Sequence, residues 1–343
     1  VDVRAVIFDE YGGLDVLRLA DMPFPEISPT DVLVRVRACG VNRLDLLIRS
    51  GKASEVPLPH ILGSEVVGEI AVIGDGVQGF QVGQSVAIYP YFHCGQCSFC
   101  LSAQENMCLR GGLVGLSYQG GYAQYIRAPA QCLIPLPEGL FFEDAAAVTL
   151  SMLTAWHMLI TRSGLSPGEW VLILGATGGV GSAAIQIASL AGAHVIAAGS
   201  SHVRLAQASE LGADEVINYL EEDFVAAVER LTDGRGVDVV VEHIGADTWL
   251  GSLRCLARGG RIVTCGATTG SKVQVDINYL FNRQNSILGS RGGTKGELSY
   301  VLDLVAQGRL IAVVDEIYHL TEAITAQERL EKRDVFGKLI LVP

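Results

Sequence analysis

Four cysteines, Cys94, Cys97, Cys100 and Cys108, fall in one short stretch with the spacing C-x2-C-x2-C-x7-C. Thiols this close together in sequence suit one tetrahedral metal better than two disulfides. Four thiolates fill every position of a zinc ion, so such a site staples a loop and leaves no place for substrate. One structural Zn2+ is expected, and the chemistry has to come from elsewhere in the chain.

A second cluster supplies it. The apolar run Trp170–Leu174 is followed by Gly175-Ala176-Thr177-Gly178-Gly179-Val180-Gly181, and a helix is predicted from Gly179 to Leu190. A glycine triplet between a strand and a helix is the setting of a dinucleotide-binding loop. Missing side chains let the backbone approach a pyrophosphate, and the helix start offers free N–H groups and the positive end of its dipole. A turn that serves only helix–sheet packing is the weaker reading, because strand–helix alternation continues behind the loop.

NAD-preferring sites place Asp or Glu at the end of the second strand, about 20 residues on, to hold the ribose 2′-hydroxyl. Here that end reads Ala197-Ala198-Gly199-Ser200-Ser201-His202-Val203-Arg204, with no carboxylate before Glu210. Ser200, Ser201 and Arg204 suit a 2′-phosphate, since a guanidinium fork matches phosphate oxygens. Tyr219, ending the third strand, stands where it can close over the same group. NADP(H) is favoured over NAD(H), with dual use left open; Arg204 as a solvated helix residue is the plainer alternative.

The elements that must position these residues fall into two halves. At 343 residues the chain has room for two cores, and 49% hydrophobic with 18% charged residues argues against disorder. From Val1 to about Leu150, short strands alternate with Gly/Pro turns, at Val3–Phe8, Val32–Ala38, Val66–Ile73, Ser85–Tyr89 and Tyr122–Arg127. From about Ser151 to 288 the rhythm is strand, helix, strand, with strands at Trp170–Leu174, His194–Ala198, Glu215–Tyr219, Val237–Val241, Arg261–Cys265 and Ile287–Leu288. Strands this apolar, joined by helices, predict a doubly wound parallel sheet covered on both faces. Residues 289–343, with a helix near Leu298–Ala306 and a strand at Lys338–Val342, return to the first half.

Several classes are disfavoured. A net charge of -12 does not suit nucleic acid, whose phosphates need clustered Lys and Arg. No apolar run reaches the roughly eighteen residues of a membrane span. The most apolar stretch, Ala145–Ile160, carries Thr149, Ser151, Thr154 and His157 and is expected to be a buried junction. The first residues alternate like a strand and lack a signal-peptide core. Cys39, Cys132, Cys255 and Cys265 are scattered, as in a reducing cytoplasm.

Taken together, GVNRLDLLIRSG (40–51), LGSEVVGEI (62–70), the four-cysteine lobe over about 90–112 and GATGGVG resemble the medium-chain dehydrogenase/reductase superfamily across the whole chain. The ending Phe336-Gly337-Lys338-Leu339-Ile340 is similar to that family's usual one. The resemblance implies an α/β protein with a GroES-like catalytic domain and a Rossmann domain, meeting a small-molecule substrate in a cleft. It also implies a homodimer or homotetramer, with Thr154 pressing on the nicotinamide and Gly266 and Lys338 as further cofactor contacts.

The departures from the family narrow the chemistry. The position of a zinc-ligand cysteine is Asn42, the Gly-His-Glu motif reads Gly63-Ser64-Glu65, and the third ligand falls on Leu150. A catalytic zinc needs three protein ligands and an open position, so none is expected. Asn42 in GVN-x-x-D instead resembles the zinc-free quinone oxidoreductases and enoyl reductases. Without a Lewis acid an alcohol is a hard substrate. A quinone or an α,β-unsaturated ketone needs only hydrogen bonds to its developing oxyanion. Asn42 is the first candidate donor and Ser64 the second, with Glu65 and a water supplying the proton and Asp45 in support. In the plainer readings Asn42 braces a turn, Asp45 caps it and Glu65 pairs with an arginine. An alcohol dehydrogenase/aldehyde reductase and a non-enzymatic dinucleotide-binding redox sensor are the alternative functions.

Overall fold

Asp31–Val41 is the spine of the first half of the fold. Over residues 34–38, Val34, Val36 and Ala38 are buried while Arg35 and Arg37 between them reach solvent, the period-two pattern of a strand with one wet face; Val32, Leu33 and residues 39–41 are buried on both faces. Glu65–Ile73 pairs with it on one side and Lys338–Val342 on the other, both antiparallel, and Tyr125–Pro129 joins near its start. The sheet has seven strands. In its register Gly40 stands opposite both Glu65 and Ile340. A strand from the far end of the chain thereby carries Lys338 to Glu65.

The second half is a six-stranded, all-parallel sheet. Its order is Glu215–Asn218, His194–Gly199, Trp170–Leu174, Val237–Glu242, Leu256–Thr264, Ser286–Gly289. Numbered along the chain this is 3-2-1-4-5-6, the doubly wound arrangement in which ligands bind beyond the carboxyl ends of the strands. Leu172, Leu174, Ile196, Val240 and Ile262 pack with Trp249, Leu253 and Leu256 into one core. Ala183, Ala184 and Ala188 on the helix Gly179–Leu190 are buried, and their small side chains let the helix lie close.

The computed structural model describes residues 2–343. They divide into two units, residues 2–150 with 294–343, and Ser151–Gly293. Ala145–Ile160 forms parts of three short helices, Phe142–Val148, Ser151–Trp156 and a π-helical turn at His157–Arg162, most of it buried. No helix of the described residues is long and apolar enough to cross a membrane.

The differences from the sequence reading have local causes. The third Rossmann helix, expected over about Glu221–Leu231, begins at Phe224, because the Asp223 side chain accepts from Val225 N and caps it there. Residues 219–222 are thereby released into a loop. The strand Val314–His319 and the helices Arg43–Arg49, Ile277–Arg283 and Ala323–Glu331 were not anticipated. Val314–His319 is half-exposed and charged, so it gives little hydrophobic signal.

Candidate active site and zinc lobe

Cys97 precedes the short helix Ser98–Leu101 and Cys108 follows the 3-10 turn Glu105–Met107. These turns fold the four thiols together, with all four Sγ atoms within 4.8 Å of one another. Three Sγ pairs lie at 3.4, 3.9 and 3.9 Å, close to the ~3.8 Å edge of a tetrahedron with Zn–S bonds of about 2.3 Å. Backbone N–H groups hold the Cys94 thiol down at about 5, whereas burial, then its thiol neighbours, pushes Cys100 up to about 12. The thiols by themselves therefore do not all ionise, and a divalent cation at their centre removes that conflict. N–H donors already face the sulfurs: Cys94 N to Cys108 Sγ at 3.3 Å, Arg110 N to Cys108 Sγ at 3.4 Å, and the Arg110 guanidinium to Cys94 Sγ at 3.5 Å. The residues fit a closed structural zinc.

The lobe is tied to the helix Lys295–Ala306, since the Glu105 carboxylate accepts from Lys295 N and Lys295 Nζ donates to Gln131 O at 2.6 Å. Cys97→Ser is expected to release the metal and lower Tm by about 10 °C, the shift for a loss of ~3–4 kcal/mol in a domain of this size. Zinc content by mass spectrometry and a thermal scan check it; full zinc occupancy in Cys97→Ser would remove Cys97 from the site.

In the same unit, Asn42, Asp45, Ser64, Glu65, Leu150 and Lys338 converge. Glu65 is fully buried and Lys338 is 5% exposed. Lys338 Nζ lies 2.6 Å from Glu65 Oε2, and donates to Asn42 Oδ1 at 2.8 Å and to Val41 O at 2.8 Å. Asn42 Nδ2 donates to Glu65 Oε2 at 3.0 Å, and Leu150 N donates to Glu65 Oε1 at 2.9 Å. Gly40 is required here, because a Cβ would stand 3.1 Å from Glu65 Cβ and closer still to its carboxylate. Glu65 thus pairs with a lysine rather than an arginine, and Lys338, expected at the cofactor, spends all three N–H bonds on this cluster.

Asn42 ends the central strand and caps the helix Arg43–Arg49. Its backbone N–H donates to Asp45 Oδ2 at 2.7 Å, while its side chain turns away to Glu65 and Lys338. Asp45 also accepts from Gly63 N at 3.2 Å and from Tyr122 OH at 3.0 Å. Ser64 is fully buried and donates to Val114 O at 2.7 Å, which directs its hydroxyl to the backbone. His60 is buried with Nε2 3.0 Å from Gly115 O.

Burial, against the opposing hydrogen bonds, raises the Asp45 carboxyl to about 6 from an ordinary 3.8. The folded state then binds more protons than the unfolded state between about pH 4 and 6, so this group makes stability fall as pH rises through that window, by on the order of 2–3 kcal/mol. Tm followed from pH 4 to pH 7 should lose that component in Asp45→Asn. An unchanged profile would assign the titration elsewhere.

In the second unit, the loop after Trp170–Leu174 has the geometry of a phosphate cradle. Gly175 has φ +62°, a left-handed conformation that glycine adopts without strain. A Cβ at Gly181 would collide with Gly175 O and lie 2.7 Å from Ala176 Cα, so the helix start packs directly on the loop backbone. At Gly178, a Cβ would meet only Gly175 O at 3.7 Å, so that side of the loop is open. Ala176 N donates to Ala198 O at 3.1 Å, joining the loop to the second strand. The Nε2 of His243 is buried with no hydrogen-bond partner among the described residues, and its ring stands against Gly175. These residues fit a dinucleotide. Glu242 shapes the neighbouring loop: its carboxylate accepts from Ile244 N, Gly245 N, Thr248 Oγ1 and Ser252 Oγ at 2.6–2.9 Å. Gly266 follows the fifth strand, 3.4 Å (as a Cβ) from His243 O, and Thr154 is buried in Ser151–Trp156. Thr177, Gly179 and Val180 complete the loop.

Residues 28–138 match the alcohol dehydrogenase GroES-like domain family, and residues 179–307 match the zinc-binding dehydrogenase family. An alcohol dehydrogenase of Geobacillus stearothermophilus is 34% identical over 95% of this chain and 96% of its own. The chain belongs to the medium-chain dehydrogenase/reductase superfamily. A quinone oxidoreductase of Pseudomonas aeruginosa is 33% identical over 99% of both chains. The solved structure of an NAD-dependent alcohol dehydrogenase superposes with a TM-score of 0.95 at 43% identity, covering 99% of each chain.

This medium-chain dehydrogenase/reductase is an oxidoreductase with a nicotinamide-binding Rossmann sheet and a zinc-binding cysteine lobe. Its Asn42, Ser64 and Leu150 do not fit a second zinc. Those three positions offer an amide, a hydroxyl already given to Val114 O and an alkyl group, while the neighbouring Glu65 carboxylate is matched by an ammonium and that of Asp45 is held by Asn42 N, Gly63 N and Tyr122 OH. Zinc is held by thiolate, imidazole or free carboxylate. Among the described residues, the thiol cluster is the one group of three or more His, Cys, Asp or Glu placed to hold a metal.

Proposed function

We propose that this dehydrogenase/reductase transfers hydride from a nicotinamide cofactor to an activated carbonyl or alkene, of the quinone or enone class, without a catalytic zinc. The observation that carries this reading is the Lys338–Glu65–Asn42 cluster, in which Asn42 stands at one of the positions that family resemblance gives to metal ligands and is held by an ion pair. Lys338 takes the amide oxygen of Asn42 and Glu65 takes one N–H, which fixes the amide and leaves the second N–H to meet a developing oxyanion. Ser64 is the poorer donor, since Val114 O already holds its proton.

Ser200, Ser201, Arg204 and Tyr219, with no carboxylate ending the second strand, support NADP(H) over NAD(H). The scattered, mostly buried thiols Cys39, Cys132, Cys255 and Cys265, together with a thiol cluster suited to zinc, support a reducing cytoplasm. The edge strand Ser286–Gly289, beside exposed Ile277 and Phe281, supports a homo-oligomer, which light scattering tests. Alcohol dehydrogenase/aldehyde reductase chemistry is the second reading, favoured by the 43% identical structure.

Quinones, enones, aldehydes and alcohols assayed with both cofactors, alongside metal analysis, separate the two. Turnover of enone or quinone with about one zinc per chain is expected; alcohol oxidation with about two zinc per chain would overturn the proposal. Asn42→Ala should lower kcat by about 10²-fold, the loss of one oxyanion donor, with cofactor affinity unchanged. Absence of any turnover would favour the redox-sensor reading.

A further inference from the structure

Beyond the ends of the second and third Rossmann strands, His202, Glu221 and Asn218 form a cluster that the hydride-transfer chemistry does not use. His202 opens the helix His202–Glu210, directly after Ser200 and Ser201. Its Nε2 lies 2.6 Å from Glu221 Oε1 and 3.2 Å from Asn218 Nδ2. The side chains of His202 and Glu221 are 71% and 60% exposed, so both are open to a ligand.

Two contacts place the cluster. Tyr219 N donates to Gly199 O at 3.1 Å, which ties the end of the third strand to that of the second. The Thr177 methyl lies 3.3 Å from where a Gly199 Cβ would stand, so the phosphate loop reaches the same point. A Rossmann sheet receives the adenosine ribose just beyond the end of its second strand. The loop freed by the Asp223 cap therefore brings a carboxylate to a place where the second strand itself has none.

The chemistry of the ring then matters. An ionised Glu221 takes a proton from Nε2, which leaves Nδ1 as an acceptor when the ring is neutral and a donor when it is charged. Among the described residues Nδ1 has no hydrogen-bond partner. A ribose 2′-hydroxyl can donate to a neutral Nδ1; a 2′-phosphate can only accept. The charged partner of the ring is Glu221 from the loop; Arg204 lies two residues on in the same helix, and Glu222 is held by Arg230 at 3.1 Å.

We propose that His202 sets the cofactor preference through its charge: the neutral ring, held by Glu221, accepts the 2′-hydroxyl of NAD(H), and the protonated ring binds the 2′-phosphate of NADP(H). Binding of NADP(H) then takes up one proton from solvent, and binding of NAD(H) takes up none. The inference rests on the reading that Ser200, Ser201 and Arg204 receive the 2′-phosphate.

The test is calorimetric titration of the zinc-loaded full chain with NADP+ and NAD+ from pH 6.5 to 8.5, in two buffers of different ionisation enthalpy. For NADP+, Kd is expected to weaken by up to tenfold per pH unit on the alkaline side, with about one proton taken up. For NAD+, which selects the neutral ring, Kd should not weaken as pH rises, and no proton should be taken up. In His202→Gln the uptake and the NADP+ slope should vanish. Uptake that persists in His202→Gln, or equal uptake with both cofactors, overturns the proposal. A flat NADP+ profile overturns it too, even if Arg204→Ala weakens NADP+ at least tenfold and so upholds the parent reading. An unchanged NADP+ affinity in Arg204→Ala removes the parent reading, and this inference falls with it.

Discussion

Lys338→Met is expected to destabilise the protein by about 3–5 kcal/mol, the cost of leaving a buried charge without its partner. Glu65 has no exposure, and its ammonium partner lies 2.6 Å away. Two further donors, Asn42 Nδ2 and Leu150 N, are neutral and do not balance a carboxylate. Glu65→Gln should cost a similar amount, because it strands the ammonium. The double variant Glu65→Gln/Lys338→Met should recover most of the loss, since a buried ion pair replaced by uncharged groups is often near neutral in stability. Urea unfolding of the four proteins forms the cycle. Additive losses would show that the two side chains act independently. Activity should not recover with stability, because Asn42 loses the partner that holds its amide oxygen. Titration of the same variants with NADPH separates this role from the cofactor contact implied by family resemblance: an unchanged Kd with lost turnover places Lys338 in the catalytic unit alone.

The second large effect concerns two glycines three residues apart. Gly181→Val should abolish dinucleotide binding and also weaken the fold, because the new Cβ would stand 2.7 Å from the Ala176 backbone and nearer still to Gly175 O. Backbone atoms cannot move aside as a side-chain tip can, and overpacking of this kind costs roughly 1–3 kcal/mol or more. Gly178→Val faces open space and should leave Tm within about 2 °C, yet its side chain occupies the approach of the pyrophosphate. Both variants lose cofactor binding and only one loses stability. If Gly178→Val bound NADPH as well as the parent, the loop would not be the phosphate site.

The elements that were read correctly are those whose signal is local. Trp170–Leu174, Gly179–Leu190 and Lys338–Val342 have the bounds expected of them, because an apolar run flanked by glycine is a short-range pattern. The thiol cluster was legible for the same reason, its ligands lying within one loop. Tyr122 on Asp45 and Lys338 on Glu65 were not legible, since 77 residues separate the first pair and the second joins opposite ends of the chain. A charged residue carries no mark of its partner when strand register alone brings the two together.

What the sequence determined by itself is the inventory: a four-cysteine lobe, a doubly wound sheet with a glycine-rich loop after its first strand, and Asn42, Ser64 and Leu150 at the positions that family resemblance gives to metal ligands. What only the tertiary structure decided is how those replacements are used. Antiparallel pairing of Lys338–Val342 against Asp31–Val41 delivers an ammonium to a buried carboxylate and turns the Asn42 amide to face both. The physical reason is that a buried charge is tolerable only beside its opposite, and which opposite it meets depends on the register of strands that lie far apart in the chain.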